Sequence, residues 1–272
     1  MPELPEVETL KRQLETKIKG EKIIKVELFA DILRFPLDKA AILAIKDFKI
    51  TELNRRGKYL LLSLEKEGIK KIFLIHLGMS GTLRIIKEYK PKAHDHLIIS
   101  FAEQKMVFND PRKFGALMVY EPENPPNYIT NLGIEPLTET FDWQYLKNLV
   151  ANKRKKIKTL IMEQHMVVGV GNIYASEALF LANISPFREA KTLNDEEIKK
   201  LVSTIKQVLQ KGIENQGTTL KDYKQSDGSK GHNQDSLLVY GRDNQPCFNC
   251  QTLIKNEIIT GRMSYFCPNC QK

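Results

Sequence analysis

Cysteine is absent from the first 246 residues of this 272-residue chain, so most of its length can hold neither a disulfide framework nor a thiolate metal site. Long apolar runs are missing as well. The longest, residues 59–64 and 72–77, fall far short of the roughly 20 residues that a helix needs to cross a bilayer. The start, Met1-Pro2-Glu3-Leu4-Pro5-Glu6, lacks the basic end and apolar segment of a secretory signal, and a cytoplasmic location is the expectation. Acidic residues are in deficit: 33 Asp and Glu face 42 Lys and Arg, a formal net charge of +9 that favours a polyanionic partner. Charge alone does not name that partner, because many basic soluble proteins bind no nucleic acid.

Hydrophobic residues make up 42% and charged residues 28%, the balance of a chain that folds, and the length exceeds what one compact core usually holds. Val7, Leu10, Leu14 and Ile18 recur at helical spacing after Pro5, with Gly20 placed to stop the helix. From Lys22 to Tyr120 the texture changes to short apolar or alternating runs at 23–28, 48–53, 59–64, 72–77, 97–101 and 114–120, which predict an antiparallel sandwich. Glu121-Pro122-Glu123-Asn124-Pro125-Pro126 can continue neither helix nor central strand and marks a linker. Beyond it the pattern turns helical, with helices expected at 143–151, 172–181 and 195–215. In the last, Ile198, Leu201, Ile205, Val208, Leu209 and Ile213 form the apolar stripe. Residues 217–236 are polar, contain Gly217, Gly228 and Gly231, and form a loop long enough to be functional.

All four cysteines lie in the tail, as Cys247 with Cys250 and Cys267 with Cys270, two residues inside each pair and sixteen between the pairs. Paired thiolates on tight turns converge on a tetrahedral ion, and so short a tail cannot build a core without a staple, so one structural zinc is expected. Redox or disulfide pairs are the competing reading, and no strand-helix unit surrounds either pair to support it. A closed site of this kind holds a hairpin and does no chemistry. Arg262, next to Gly261, then stands where a hairpin tip reaches a nucleic-acid groove, although an exposed arginine is ordinarily just solvated. Lys153-Arg154-Lys155-Lys156-Ile157-Lys158 puts five positive charges in six residues, a run that usually forms a solvated face. After it, Gly169-Val170-Gly171-Asn172 leads into a helix, with Asn172 expected as its cap and backbone N–H groups open to a phosphate.

Five segments taken together carry a resemblance. Pro2-Glu3-Leu4-Pro5-Glu6-Val7-Glu8-Thr9, His76-Leu77-Gly78-Met79-Ser80-Gly81, Asp110-Pro111-Arg112-Lys113-Phe114-Gly115, Gly169-Val170-Gly171-Asn172-Ile173-Tyr174-Ala175-Ser176-Glu177 and the four-cysteine tail resemble, in order, the bacterial formamidopyrimidine-DNA glycosylases. The resemblance implies an α+β fold: an N-terminal helix with a β-sandwich at 2–121, a linker at 122–135, a helix-two-turn-helix domain at 136–236 with a lesion-capping loop at 217–236, and a zinc hairpin at 237–272. It implies excision of oxidised purines from double-stranded DNA, cleavage at the resulting abasic site, and action as a monomer.

The same resemblance assigns roles. Met1 is removed, the amine of Pro2 attacks the sugar carbon C1′, and Glu3 is the general acid/base, with Lys58 and Arg262 completing the catalytic set. A terminal amine with a pKa of about 8 is partly unprotonated at neutral pH, which suits a nucleophile. Glu6 reads as structural. Met79 and Phe114 fill and wedge the stack that a flipped base vacates, Arg112 donates to the orphaned partner base, His94 and Lys155 bind DNA, and Asn172, with Lys58 and Arg262, clamps its backbone. Two rivals remain: the sibling glycosylase for oxidised pyrimidines, which typically carries glycine where Leu4 stands, and an inactive zinc-ribbon protein that binds damaged or bent DNA. After Gly231 relatives commonly carry aromatic residues and then glutamine, whereas this chain reads His232-Asn233-Gln234-Asp235. That departure shifts base discrimination, on this reading, toward backbone N–H groups at 218–223.

Overall fold

The structure, a computed structural model, describes residues 2–219 and 231–272. Helix α1 (Leu4–Ile18) starts where Pro5 presets the first turn and the Glu6 carboxylate accepts the backbone N–H of Glu3 at 2.8 Å, satisfying a donor the helix leaves open. Then come β1 (Lys25–Leu28), the short α2 (Lys39–Leu43), β2 (Lys49–Arg56), β3 (Tyr59–Lys66), β4 (Ile69–His76), β5 (Thr82–Ile86), β6 (Asp95–Ser100), β7 (Lys105–Asn109), β8 (Ala116–Tyr120) and α3 (Asn127–Thr130).

The strands form two antiparallel four-stranded sheets, ordered β1-β6-β7-β5 and β2-β3-β4-β8, as the sequence texture predicts. Alternate residues of β3, Leu60, Leu62 and Leu64, turn inward and meet Leu97 and Ile99 of β6, with Leu10 and Leu14 of α1 in the same core. Two strands escape the sequence reading. In β5 a charged residue interrupts the apolar pattern: Arg84 sits mid-strand and bonds the buried Asp95 carboxylate of β6 at 2.5 Å. In β7 the apolar stretch is only three residues long, between Lys105 and Asn109.

The helical part comprises α4 (Trp143–Val150), α5 (Ile157–Ile161), α6 (Asn172–Ala182) and α7 (Asp195–Glu214), followed by the hairpin β9 (Lys255–Ile259) and β10 (Arg262–Phe266). Asn194 and Glu197 close a reciprocal capping box at the start of α7, each side chain accepting the other's backbone N–H at 2.9 Å. The expected stripe from Ile198 to Ile213 is buried.

Contacts divide the chain into two compact units, Met1–Thr130 with Gln216–His232, and Asn131–Asn215 with Asn233–Lys272. Within the second, Cys247 and Cys267 share a small core with Phe180, Val239 and Ile254, so the cysteine tail packs on α6. Among the described residues no helix is long and apolar enough to cross a membrane.

Candidate active site and nucleic-acid contacts

Pro2 is buried immediately ahead of α1, and Glu3, the N-cap residue, is 2% exposed. Glu6 holds this terminus in place. One of its carboxylate oxygens takes the Glu3 N–H at 2.8 Å and the other takes the Thr218 N–H at 2.7 Å. Lys58 lies in the tight turn between β2 and β3, where Arg56 pairs with Tyr59 and Gly57 adopts a φ of +57°, and its side chain is 7% exposed. Arg55 braces that turn to α1, bonding the Glu8 carboxylate at 2.9 Å and the Gly57 carbonyl at 3.0 Å. Burial pushes the Glu8 pKa up, but hydrogen bonds and charges from Arg55 and Arg12 outweigh it and leave it lowered.

His76, at the end of β4, packs its ring 4.7 Å from Tyr59 and accepts the Gly78 N–H on Nδ1 at 3.2 Å. Burial, reinforced by the positive charges of Lys58 and Arg34, drives its pKa down to about 4. The imidazole is therefore neutral at pH 7 with its proton on Nε2, and offers an N–H donor beside a lysine.

Met79, Arg112 and Phe114 come together. With Arg34 and His76 they line a groove of about 620 Å³. Met79 is 38% and Phe114 45% exposed, values that remove both from the core, where isolated residues of these types ordinarily belong. Asp110, fully buried, shapes the loop that presents them: its carboxylate accepts N–H groups from Gly115 at 2.7 Å and Arg112 at 3.2 Å and the Ser80 hydroxyl at 3.3 Å. Gly78 allows the two loops to touch, since a Cβ there would stand 2.5 Å from the Gly115 nitrogen. The strand expected to begin at Phe114 therefore begins at Ala116, and the Arg112 guanidinium lies 4.8 Å from the Phe114 ring centre. His94, exposed at a φ of +69°, adjoins the same loop, its carbonyl accepting the Asp110 N–H at 3.1 Å.

In the helical unit the expected cap is corrected. Gly171 is the N-cap of α6, and Asn172, the first helical residue, turns its side chain toward β10, donating to the Met263 carbonyl at 2.8 Å and to the Tyr240 hydroxyl at 3.4 Å. Lys158 Nζ donates to Asn172 Oδ1 and to Ser264 Oγ, both at 2.7 Å. Lys155 is half exposed and ion-paired with Glu163. Arg262 is exposed and opens β10 after the two-residue turn Thr260-Gly261, both at positive φ, the geometry of a tight hairpin.

The sulfur atoms of Cys247, Cys250, Cys267 and Cys270 all lie within 4.8 Å of one another, with Cys247 to Cys270 at 3.8 Å and Cys250 to Cys267 at 3.5 Å. Edges near 3.8 Å are what a tetrahedron of sulfurs about 2.3 Å from a central ion requires, and disulfide sulfurs would be about 2.05 Å apart. The donor set fits a metal ion.

Residues 1–117 match the formamidopyrimidine-DNA glycosylase N-terminal domain, and residues 132–224 match the formamidopyrimidine-DNA glycosylase H2TH domain. The chain belongs to the formamidopyrimidine-DNA glycosylase family. It is 42% identical over 275 aligned residues to the formamidopyrimidine-DNA glycosylase of Rickettsia bellii, covering 100% of both chains. With that of Legionella pneumophila strain Lens it shares 44% over 275 residues, covering 100% of this chain and 98% of the relative. Among solved structures, the MutM (Fpg) protein of Thermus thermophilus superposes with a TM-score of 0.89 at 35% identity, over 99% of this chain and 98% of that one. A Lactococcus lactis Fpg variant in complex with DNA containing Fapy-dG gives 0.92 at 34% identity over 100% of both.

Set against this glycosylase family, the sequence reading omitted four residues that the structure places among the others. His76 and Arg34 line the groove, and Lys158 and Tyr240 hold Asn172. The signal for His76 was its position heading a quoted motif; Lys158 was hidden inside a charged run. Of the backbone N–H groups expected to read a base, that of Thr218 is taken by Glu6, and residues 220–230 lie outside the described residues.

Proposed function

We propose that this chain is a bifunctional glycosylase and lyase that repairs oxidised purines, 8-oxoguanine and formamidopyrimidines, in double-stranded DNA with Pro2 as nucleophile. The observation that carries the reading is the N-terminus: Pro2 is buried, Glu3 beside it is 2% exposed, and Glu6 fixes the backbone N–H of Glu3. Loss of Met1 frees a secondary amine. Its lone pair attacks C1′, the bond from C1′ to the base nitrogen breaks, and the base leaves with a proton as the sugar ring opens to an iminium; Glu3 is the group placed to move protons in these steps. Proton abstraction from C2′ then expels the 3′ phosphate, and a second elimination expels the 5′ phosphate. Lys58, the neutral His76 N–H and Arg262 are suited to the phosphates, and Met79, Arg112 and Phe114 to the gap left by the flipped base. His94 and Lys155, with the backbone N–H of Asn172 at the start of α6, complete the DNA contacts.

Zinc is the ion that four cysteines at this spacing favour, and bound there it ties the hairpin that carries Arg262. A chromosomal substrate implies work in the bacterial cytoplasm. A second reading, that oxidised pyrimidines are also accepted, draws on the wild-type Lactococcus lactis Fpg solved with DNA containing an oxidised pyrimidine.

The test is incision of an end-labelled duplex carrying 8-oxoguanine by the wild-type chain and by Glu3→Gln. The variant should lose at least about 100-fold in excision, the contribution of a general acid/base, and keep its affinity for DNA. Equal loss of binding and excision would make Glu3 structural, and a wild-type chain that binds without cutting would return the inactive zinc-ribbon reading.

A further inference from the structure

Thioether sulfur is unevenly exposed along this chain. Met106 is fully buried, Met162 is 9% exposed, and the Met118 sulfur accepts the Tyr128 hydroxyl at 3.1 Å. Met79 is 38% exposed, and the backbone around it makes that exposure permanent. Leu77 anchors one side in the sandwich core, and the Gly81 N–H donates to the Leu77 carbonyl at 2.9 Å, closing a turn with Met79 in its middle. A Cβ on Gly81 would stand 2.2 Å from that carbonyl oxygen, so the turn closes only with glycine there. Ser80, 8% exposed, is tied to the Asp110 carboxylate at 3.3 Å. With both neighbours fixed, the Met79 side chain cannot withdraw into the core and stays in the groove beside Arg112 and Phe114.

An exposed thioether is open to peroxide. A sulfur lone pair attacks one peroxide oxygen, the O–O bond breaks, and the hydroxide that leaves takes up a proton to give water; the sulfur is oxidised by two electrons and the peroxide reduced. The flexible apolar side chain becomes a polar one whose oxygen is a strong hydrogen-bond acceptor. At this position the change acts twice. A side chain that fills the stack vacated by a base must shed its water, and a sulfoxide sheds it poorly. Arg112 lines the same groove, and the sulfoxide oxygen accepts from the guanidinium donors that the orphaned partner base needs.

We propose that Met79 is an oxidation site whose sulfoxide suppresses base flipping, so that peroxide, one of the class of oxidants that produce oxidised purines, reversibly restrains their excision. The inference rests on the glycosylase reading above. Reversal requires a methionine sulfoxide reductase, which removes the oxygen as water while a dithiol is oxidised to a disulfide. Met263, 39% exposed on β10, has the same exposure and does not line the groove, so it serves as the internal comparison.

The experiment treats the metal-loaded full chain with graded hydrogen peroxide, stops the reaction with catalase, and adds dithiol to every sample to return any oxidised cysteine pair. Peptide mass gives the sulfoxide fraction at each methionine, and single-turnover excision of 8-oxoguanine is expressed relative to the same protein untreated. The loss should track the Met79 sulfoxide fraction, reach about tenfold at full oxidation, and be restored only when the reductase accompanies the dithiol. Met79→Leu should keep its own untreated rate at a dose where Met263→Leu loses as much as the wild type. The wild-type arms decide the matter if a variant does not fold. A rate that stays level while Met79 is oxidised, equal losses in Met79→Leu and wild type, or recovery with dithiol alone would overturn the proposal. An untreated wild-type chain that leaves 8-oxoguanine in place would instead overturn the glycosylase reading.

Discussion

Lys158 Nζ lies 2.7 Å from Asn172 Oδ1, and Lys158 is 1% exposed, so a buried ammonium fixes the first residue of α6. The same ammonium bonds Ser264 in β10, and Asn172 bonds the Met263 carbonyl, so α5, α6 and the hairpin share one polar joint. A lysine this far from solvent orders other groups and neutralises no phosphate. Lys158→Met is predicted to weaken DNA binding by about tenfold without changing the slope of log Kd against log salt. A titration series in salt checks it. A slope reduced by about one would mean that Lys158 touches a phosphate after all.

His76 yields a pH prediction. Its folded pKa, near 4, is below the ordinary 6.5, so the unfolded chain binds a proton that the folded chain refuses. The stability this group contributes is complete above pH 6.5 and is lost as pH falls from there toward 4, by on the order of 3 kcal/mol. Denaturant unfolding at pH 7 and pH 4.5 should therefore show a smaller acid loss in His76→Gln than in the wild type. Identical losses would place the imidazole in an ordinary, solvated setting.

A metal ion held by the four cysteines would support one unit alone. Chelation, or Cys247→Ser, should lower the melting transition of the helical unit, where Cys247 and Cys267 pack with Phe180, and weaken DNA binding through loss of the Arg262 turn. The sandwich has its own core and should melt as before. Calorimetry beside a binding titration reads both. One cooperative transition that shifts as a whole would contradict this division.

The legible parts of this chain were those where a residue's type and its local spacing carry the message. The cysteine pairs and the α7 stripe are such cases, as is the apolar run that becomes β3. What escaped depends on tertiary contacts. Arg84 disguises β5 because its charge is met only across the sheet, by Asp95. Lys158 reads as one more surface cation until Asn172 and Ser264 are seen around it. Asn172 looked like a cap, since asparagine before a helix usually is one, but the hairpin claims its side chain and leaves Gly171 to start the helix. Nothing in the spelling His232-Asn233-Gln234-Asp235 shows that Asn233 is buried and bonded to Asn215 and Tyr174.

The central claim is the identity of the nucleophile, and borohydride trapping tests it most directly. The chain, purified without an N-terminal tag and with its intact mass establishing that Met1 is gone, is mixed with a duplex carrying 8-oxoguanine or an abasic site in the presence of borohydride. Reduction converts the iminium into a stable amine. Peptide mapping of the adduct should place the DNA remnant on the nitrogen of Pro2. An adduct on an internal lysine, or none from a chain that still cuts the strand, would contradict the account.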